Sequence, residues 1–235
     1  MQSIITTKEK CLSNILISGC GISFSKQERP TWINVLKICG LNINDVSGPA
    51  ISNDTILNEL LFALDKDSTI THVICQLTNT GKLDIEMNKD RESMMNKTDS
   101  YRRFTWKGLW PSSVSQKPKE KKSYYTLFHS KKIEIENLII KLYLLQKICA
   151  ERNVELYIVQ GYSIDWPQNS MLGKINFDRT YDIRSHYESH ASFKYHDPTN
   201  NNSVPCKLFQ KHLAKKINDD FIKYTLDTRL RKFVW

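Results

Sequence analysis

Features common in exported, membrane and metal-binding proteins are missing from this 235-residue sequence. The opening residues, MQSIITTKEKCLSN, hold no apolar run of the about 7–15 residues that a signal peptide needs. No later window reaches the about 18–20 apolar residues of a membrane span. A soluble chain with no membrane partner is therefore expected, acting in the cytoplasm or as part of a virion. There is no CxxC: Cys11, Cys20, Cys39, Cys75, Cys149 and Cys206 are scattered, mostly inside apolar segments. That distribution fits reduced, buried thiols and argues against a zinc site or a disulfide framework. The histidines show no HxH or HExxH spacing, so no metal is expected. No GxxxxGK[ST] occurs, and the Gly19-x-Gly21 turn lacks the third glycine of a dinucleotide fingerprint, with Phe24 in its place. No cofactor is expected. Internal repeats and coiled-coil heptads are also missing.

What is present is enough apolar residue, 40% of the chain, for a single large domain spanning 1–235, and a formal net charge of +9 that favours acidic partners. Strand and helix signals alternate. A short apolar strand at Asn14 to Ser18 precedes a helical stretch in "PTWINVLKICG", with Pro30 at a helix start and Gly40 just past its end. The strand "INDVSG" precedes "SNDTILNELLFALD", where Ser52 or Asn53 caps a helix whose Ile56, Leu60, Leu61 and Leu64 share a face. "ITHVICQLT" reads as a buried parallel strand, "KKIEIENLIIKLYLLQKICAERN" as an amphipathic helix, "VELYIVQGY" as another strand, and "CKLFQKHLAKKINDDFIKYTL" as a closing helix. The segment between the last strand and the last helix, rich in Tyr, His and Asn, reads as irregular. Residues from about 84 to 130 differ in composition and read as a basic, aromatic insertion. The alternation implies an α/β fold, a three-layer α/β/α sandwich around a mainly parallel sheet.

In open parallel sheets ligands bind outside the carboxyl ends of the strands, so the loops after each strand hold the candidate residues. These loops contain Gly19-Cys20-Gly21-Ile22-Ser23, Ser47-Gly48-Pro49-Ala50-Ile51-Ser52-Asn53 and Leu77-Thr78-Asn79-Thr80. Their order resembles the SGNH/GDSL hydrolase family, a flavodoxin-like sandwich. Its first block is a strand followed by Gly-Asp-Ser, its second supplies a glycine amide, and its third supplies an oxyanion-hole asparagine. On that pattern Gly19 is the first glycine, "VSGPAISN" is the second block, and "VICQLTNT" is the third, with Asn79 at the asparagine. "VPCKLFQKHLAKKI" resembles the segment that carries His-Pro and the last helix.

The departures from the pattern fall on the chemistry. Gly21 stands at the nucleophilic serine, Cys20 at the usual aspartate, Ala50 at the second-block glycine, Val204 at the histidine, and Asn202 near the acid. Acyl transfer needs an activated hydroxyl or thiol beside an imidazole, and two of the three triad positions lack it. The resemblance thus implies a degenerate site: a binding or assembly component acting on a carbohydrate or within a larger particle, and the Lys-, Asn- and Ile-rich usage looks like that of an A+T-rich microbial or phage genome. Gly21, Ala50, Asn53 and Asn79 are its candidate oxyanion or ligand-binding residues. One alternative is an active esterase or deacetylase on an acylated glycan. It would use a displaced Cys20 or Ser23 with His196 or His190, and Asn79 in the oxyanion hole. Another is a nucleic-acid-associated protein that uses "YRRFTWKGLW", which interleaves Arg102, Arg103 and Lys107 with Tyr101, Phe104, Trp106 and Trp110. The competing expectation for those aromatics is packing against the protein's own domain.

Overall fold

The structure, a computed structural model, describes residues 14–20, 31–48, 51–80, 83–86, 106–109, 130–161, 164, 166–167, 171–183, 194–196, 203–205 and 207–223. Five strands form one all-parallel sheet: β1 (Asn14–Ser18), β2 (Asn42–Asp45), β3 (His72–Leu77), β6 (Glu155–Gln160) and β7 (Thr180–Asp182), in the order β2-β1-β3-β6-β7. This is the flavodoxin-like order, in which the chain steps outward from β1 to β2 and then crosses back to the other side of β1. Helices α2 (Asn53–Lys66) and α3 (Lys131–Glu151) cover one face. Helices α1 (Trp32–Ile38) and α4 (Lys207–Ile217) cover the other, completing three layers.

The period-two alternation of the strands splits the core in two. Leu16, Val73, Cys75 and Ile158 point toward α2 and α3, meeting Ile56, Leu60, Leu138 and Leu142. Ile15, Ile17, Ile74, Tyr157 and Val159 point toward α1 and α4, meeting Trp32, Leu36, Leu213 and Ile217. Because β1, β3 and β6 are buried on both faces, they read as near-continuous apolar runs, while the edge strand β2 is polar and partly exposed.

The helix ends have identifiable chemistry. Asn34 reaches back at the start of α1, its Oδ1 accepting from Thr31 N at 3.2 Å and Thr31 Oγ1 at 2.6 Å. At its end Gly40, with φ of 87°, donates to Lys37 O, and Leu41 N donates to Leu36 O, the paired bonds of a Schellman stop. α3 stops the same way with Asn153, φ 54°, in the glycine's role. Ser52 caps α2 through Oγ, which accepts from Thr55 N; Asn53 is the first helical residue and does other work.

Two expectations need correction. The second strand is Asn42–Asp45, one residue earlier in its start and three shorter at its end than "INDVSG". The irregular segment before the last helix contains β7, the fifth strand of the sheet, and an antiparallel pair, β8 (Lys194–His196) with β9 (Ser203–Pro205). These runs are three residues long, too short for alternation to register. A further antiparallel pair, β4 (Leu83–Glu86) with β5 (Trp106–Leu109), forms its own two-stranded sheet between β3 and α3 in the chain. The expectations for the side chains of Tyr101, Arg102, Arg103, Phe104, Trp106, Lys107 and Trp110 lie outside the described residues. Among the described residues, no helix is long and apolar enough to cross a membrane.

Candidate functional site

The strand order places a topological switch point between β1 and β3, where the connections leave in opposite directions, the position at which open α/β sheets usually carry their ligand crevice. β3 runs two residues beyond the pairing of Ser18 with Cys75, so its exit stands above that of β1. Backbone bonds continue past the strands and tie the exits in pairs. Val46 N donates to Ile17 O at 2.9 Å, Gly48 N to Gly19 O at 3.0 Å, and Gly161 N to Leu77 O at 3.1 Å. The exits of β1 and β2 are therefore tied to each other on one side of the switch point, and those of β3 and β6 on the other.

Asn53 fastens α2 to the exit of β3. Its Nδ2 donates to Thr78 O at 3.0 Å, and Thr78 N donates to its Oδ1 at 2.7 Å. Both groups are buried, so the amide substitutes for a strand partner just where β3 ends. The next residue, Asn79, is exposed, while Thr78 and Thr80 on either side are buried. The pair thus holds the start of a loop in which, among the described residues 78–80, the exposed side chain is the neutral amide of Asn79. Gly48 is fitted closely at the exit of β2, since a Cβ there would stand 2.9 Å from Ile51 Cγ2.

Cys20 sits beside this crevice but is 2% exposed and packs in the core shared with α2 and α3. Its burial fits packing and not nucleophilic attack, because an attacking thiol must reach substrate as thiolate. The other described cysteines, Cys39, Cys75 and Cys149, are also buried, and none of the four forms a disulfide. Burial pushes the Cys75 thiol up, with Cys149 adding to the effect; burial likewise pushes Cys149 up to about 12 against an opposing pull from Arg152. Burial raises Cys39 as well. These three are held as neutral thiols.

Of the residues singled out in the sequence, the structure brings Cys20, Asn53 and Asn79 to the carboxyl edge of neighbouring strands. Gly21, Ser23 and Ala50 lie outside the described residues. His196 falls in β8 and not in a loop, and its side chain lies outside the described residues, as does all of His190. The Asn53 amide is buried and engaged by the Thr78 backbone, so it anchors the loop. Sequence reasoning missed the amides of Gly48 and Gly161 at the strand exits, the anchoring role of Thr78, and Ser18. Ser18 ends β1 fully buried, with Oγ lacking a hydrogen-bond partner among the described residues. A glycine directly after a strand was the available signal for Gly161; nothing local marks the others. Among the described residues no group of three His, Cys, Asp or Glu is placed to hold a metal. No family model matches this chain, and no curated protein matches it in sequence.

Proposed function

We propose that the chain is an SGNH-hydrolase-like protein with a degenerate triad that binds a ligand at the β1/β3 crevice without turning it over. It serves as a binding or assembly component in the cytoplasm or in a virion. The observation that carries this reading is the burial of Cys20, the thiol nearest the vacated nucleophile position, at 2% exposure. On the family pattern Gly21 and Val204 occupy the nucleophile and histidine positions, so neither attack nor proton abstraction has its group there. Beside the Asp45 carboxylate, which accepts from Ser47 N at 3.0 Å, the described strand exits offer the exposed, uncharged Asn79 amide. An amide presents donors and an acceptor together, which suits the hydroxyls of a carbohydrate.

Titration of the isotopically labelled protein with neutral oligosaccharides tests this reading. Saturable shifts are expected at Gly19, Asn79 and Gly161, and Asn79→Ala weakens them. Shifts confined to other parts of the chain, or none with any oligosaccharide in the panel, contradict the carbohydrate assignment. Binding of single-stranded oligonucleotide that weakens by a log-log slope of roughly −0.7 per phosphate neutralised would move the assignment to the basic insertion.

A further inference from the structure

At the opposite, amino edge of the sheet, a group of side chains unconnected with the crevice surrounds one aromatic ring. α4 ends in a π-helical turn, Asn218–Ile222, closed by a bond from Lys223 N to Asn218 O at 2.6 Å, with Lys223 left-handed at φ 53°. The turn carries Phe221 into the core shared with α1 and α4. Phe221 stacks on Tyr157 with centroids 4.9 Å apart and rings 17° from parallel, and meets His72 at 5.2 Å and 76°. The Arg179 guanidinium lies 6.0 Å from its centroid. Single-turn π segments are rare and are found frequently at functional sites.

We infer that His72 and the π turn form an acid-sensitive latch: a proton taken from solvent by the His72 imidazole releases Phe221 and opens the turn. The charge arrangement carries this. His72 lies opposite Glu155 in the register of β3 and β6, but Glu155 is already ion-paired with Arg179. A protonated imidazole would be a second cation beside Arg179, with one carboxylate between them and an apolar ring on the other side. His72 accordingly titrates below its ordinary value, through burial first and Arg179 second. Thr71 Oγ1, 2.9 Å from Nδ1, is neutral and offers no compensating charge. From α4 and the turn, Asp219 and Asp220 are paired with Lys215 and Lys216 one turn back. His212 is the histidine of α4, and Tyr157 and Tyr181 are held neutral by burial and by Asp220. None of these groups supplies the missing anion.

Hydrogen exchange of the full chain between pH 7.5 and 5 tests the latch. Protection factors at 218–222 are expected to fall by up to about tenfold per pH unit below the ordinary histidine value of about 6.5, while those of α2 and α3 hold. His72→Phe keeps an aromatic ring without the proton and should abolish the fall; His212→Gln should leave it in place. Should His72→Phe fail to fold, the wild-type histidine titration decides: Phe221 ring resonances should move with the His72 midpoint, and that midpoint should lie below 6.5. Constant protection at 218–222, a fall that persists in His72→Phe, a fall lost in His212→Gln, or His72 titrating while Phe221 stays still would each overturn the inference.

Discussion

The amide of Asn53 and the backbone of Thr78 form a closed pair of hydrogen bonds, 3.0 Å from Nδ2 to Thr78 O and 2.7 Å from Thr78 N to Oδ1. This joins the first residue of α2 to the first residue beyond β3, two elements 25 positions apart in the chain. It converts the exit of the central strand from an open end into a fixed platform for Asn79.

Replacing Asn53 by leucine removes both of these buried hydrogen bonds at once. Each unsatisfied group costs about 1–3 kcal/mol, so urea unfolding of Asn53→Leu should show a loss within or above that range. Asn53→Asp keeps the shape and removes the donor, setting a carboxylate against the Thr78 carbonyl. It should also destabilise, and more at neutral pH than in acid. A stability equal to wild type in both variants would show that the pair does not hold the loop.

Gly48 makes a second test of the strand exits. A methyl at this position meets Ile51 Cγ2 at 2.9 Å, and that atom is fixed to a branched carbon and cannot swing away. Gly48→Ala should destabilise by about 1–3 kcal/mol, the ordinary range for overpacking. Ile51→Ala removes the opposing atom, so the double variant should lose less than the sum of the two single ones. Simple additivity in the cycle would separate the two residues.

Alkaline titration probes the α4 side of the core. Burial, with Asp220 and then Asp182, pushes the Tyr181 phenol up to about 12, and burial with Asp220 and Tyr181 raises Tyr157 still further. Both are neutral in folded and unfolded chains below about pH 10, so no pH dependence arises there from them. Above it the unfolded chain gives up these protons first, and stability falls as pH rises from about 10 toward about 12. Phenolate absorbance should show two of the tyrosines ionising late, and Tyr181→Phe should remove one. Ionisation of all tyrosines together near 10 would contradict the burial.

The sandwich was legible in the sequence because β1 and β3 are apolar on both faces and α2 keeps its stripe of Ile56, Leu60 and Leu64, so periodicity and element type agree. Gly40 was legible as a helix stop because the left-handed conformation it adopts has a residue signature. β7 was not, since three residues cannot display an alternation; its place is set by pairing with β6, a partner more than twenty positions upstream. In the candidate site, Asn53 and Asn79 both stood out as amides after strands, yet their roles divide. One is consumed by backbone and the other faces outward, a distinction that depends on where β3 ends relative to α2 and that neither local sequence contains. Cys20 stood out in the sequence as a candidate nucleophile beside a Gly-x-Gly turn, and its place in the α2/α3 core was not legible there.

The proposal that the crevice binds without catalysing is tested most directly by exposing the folded protein to an acylating ester probe and a phosphonylating serine probe. Intact mass then counts adducts against time. The account predicts no stoichiometric adduct on the native chain, with Cys20 reacting only after unfolding. Rapid single-site modification of native protein at Cys20 or Ser23, abolished by replacing that residue and slowed by His196→Ala, would contradict it and identify an active hydrolase.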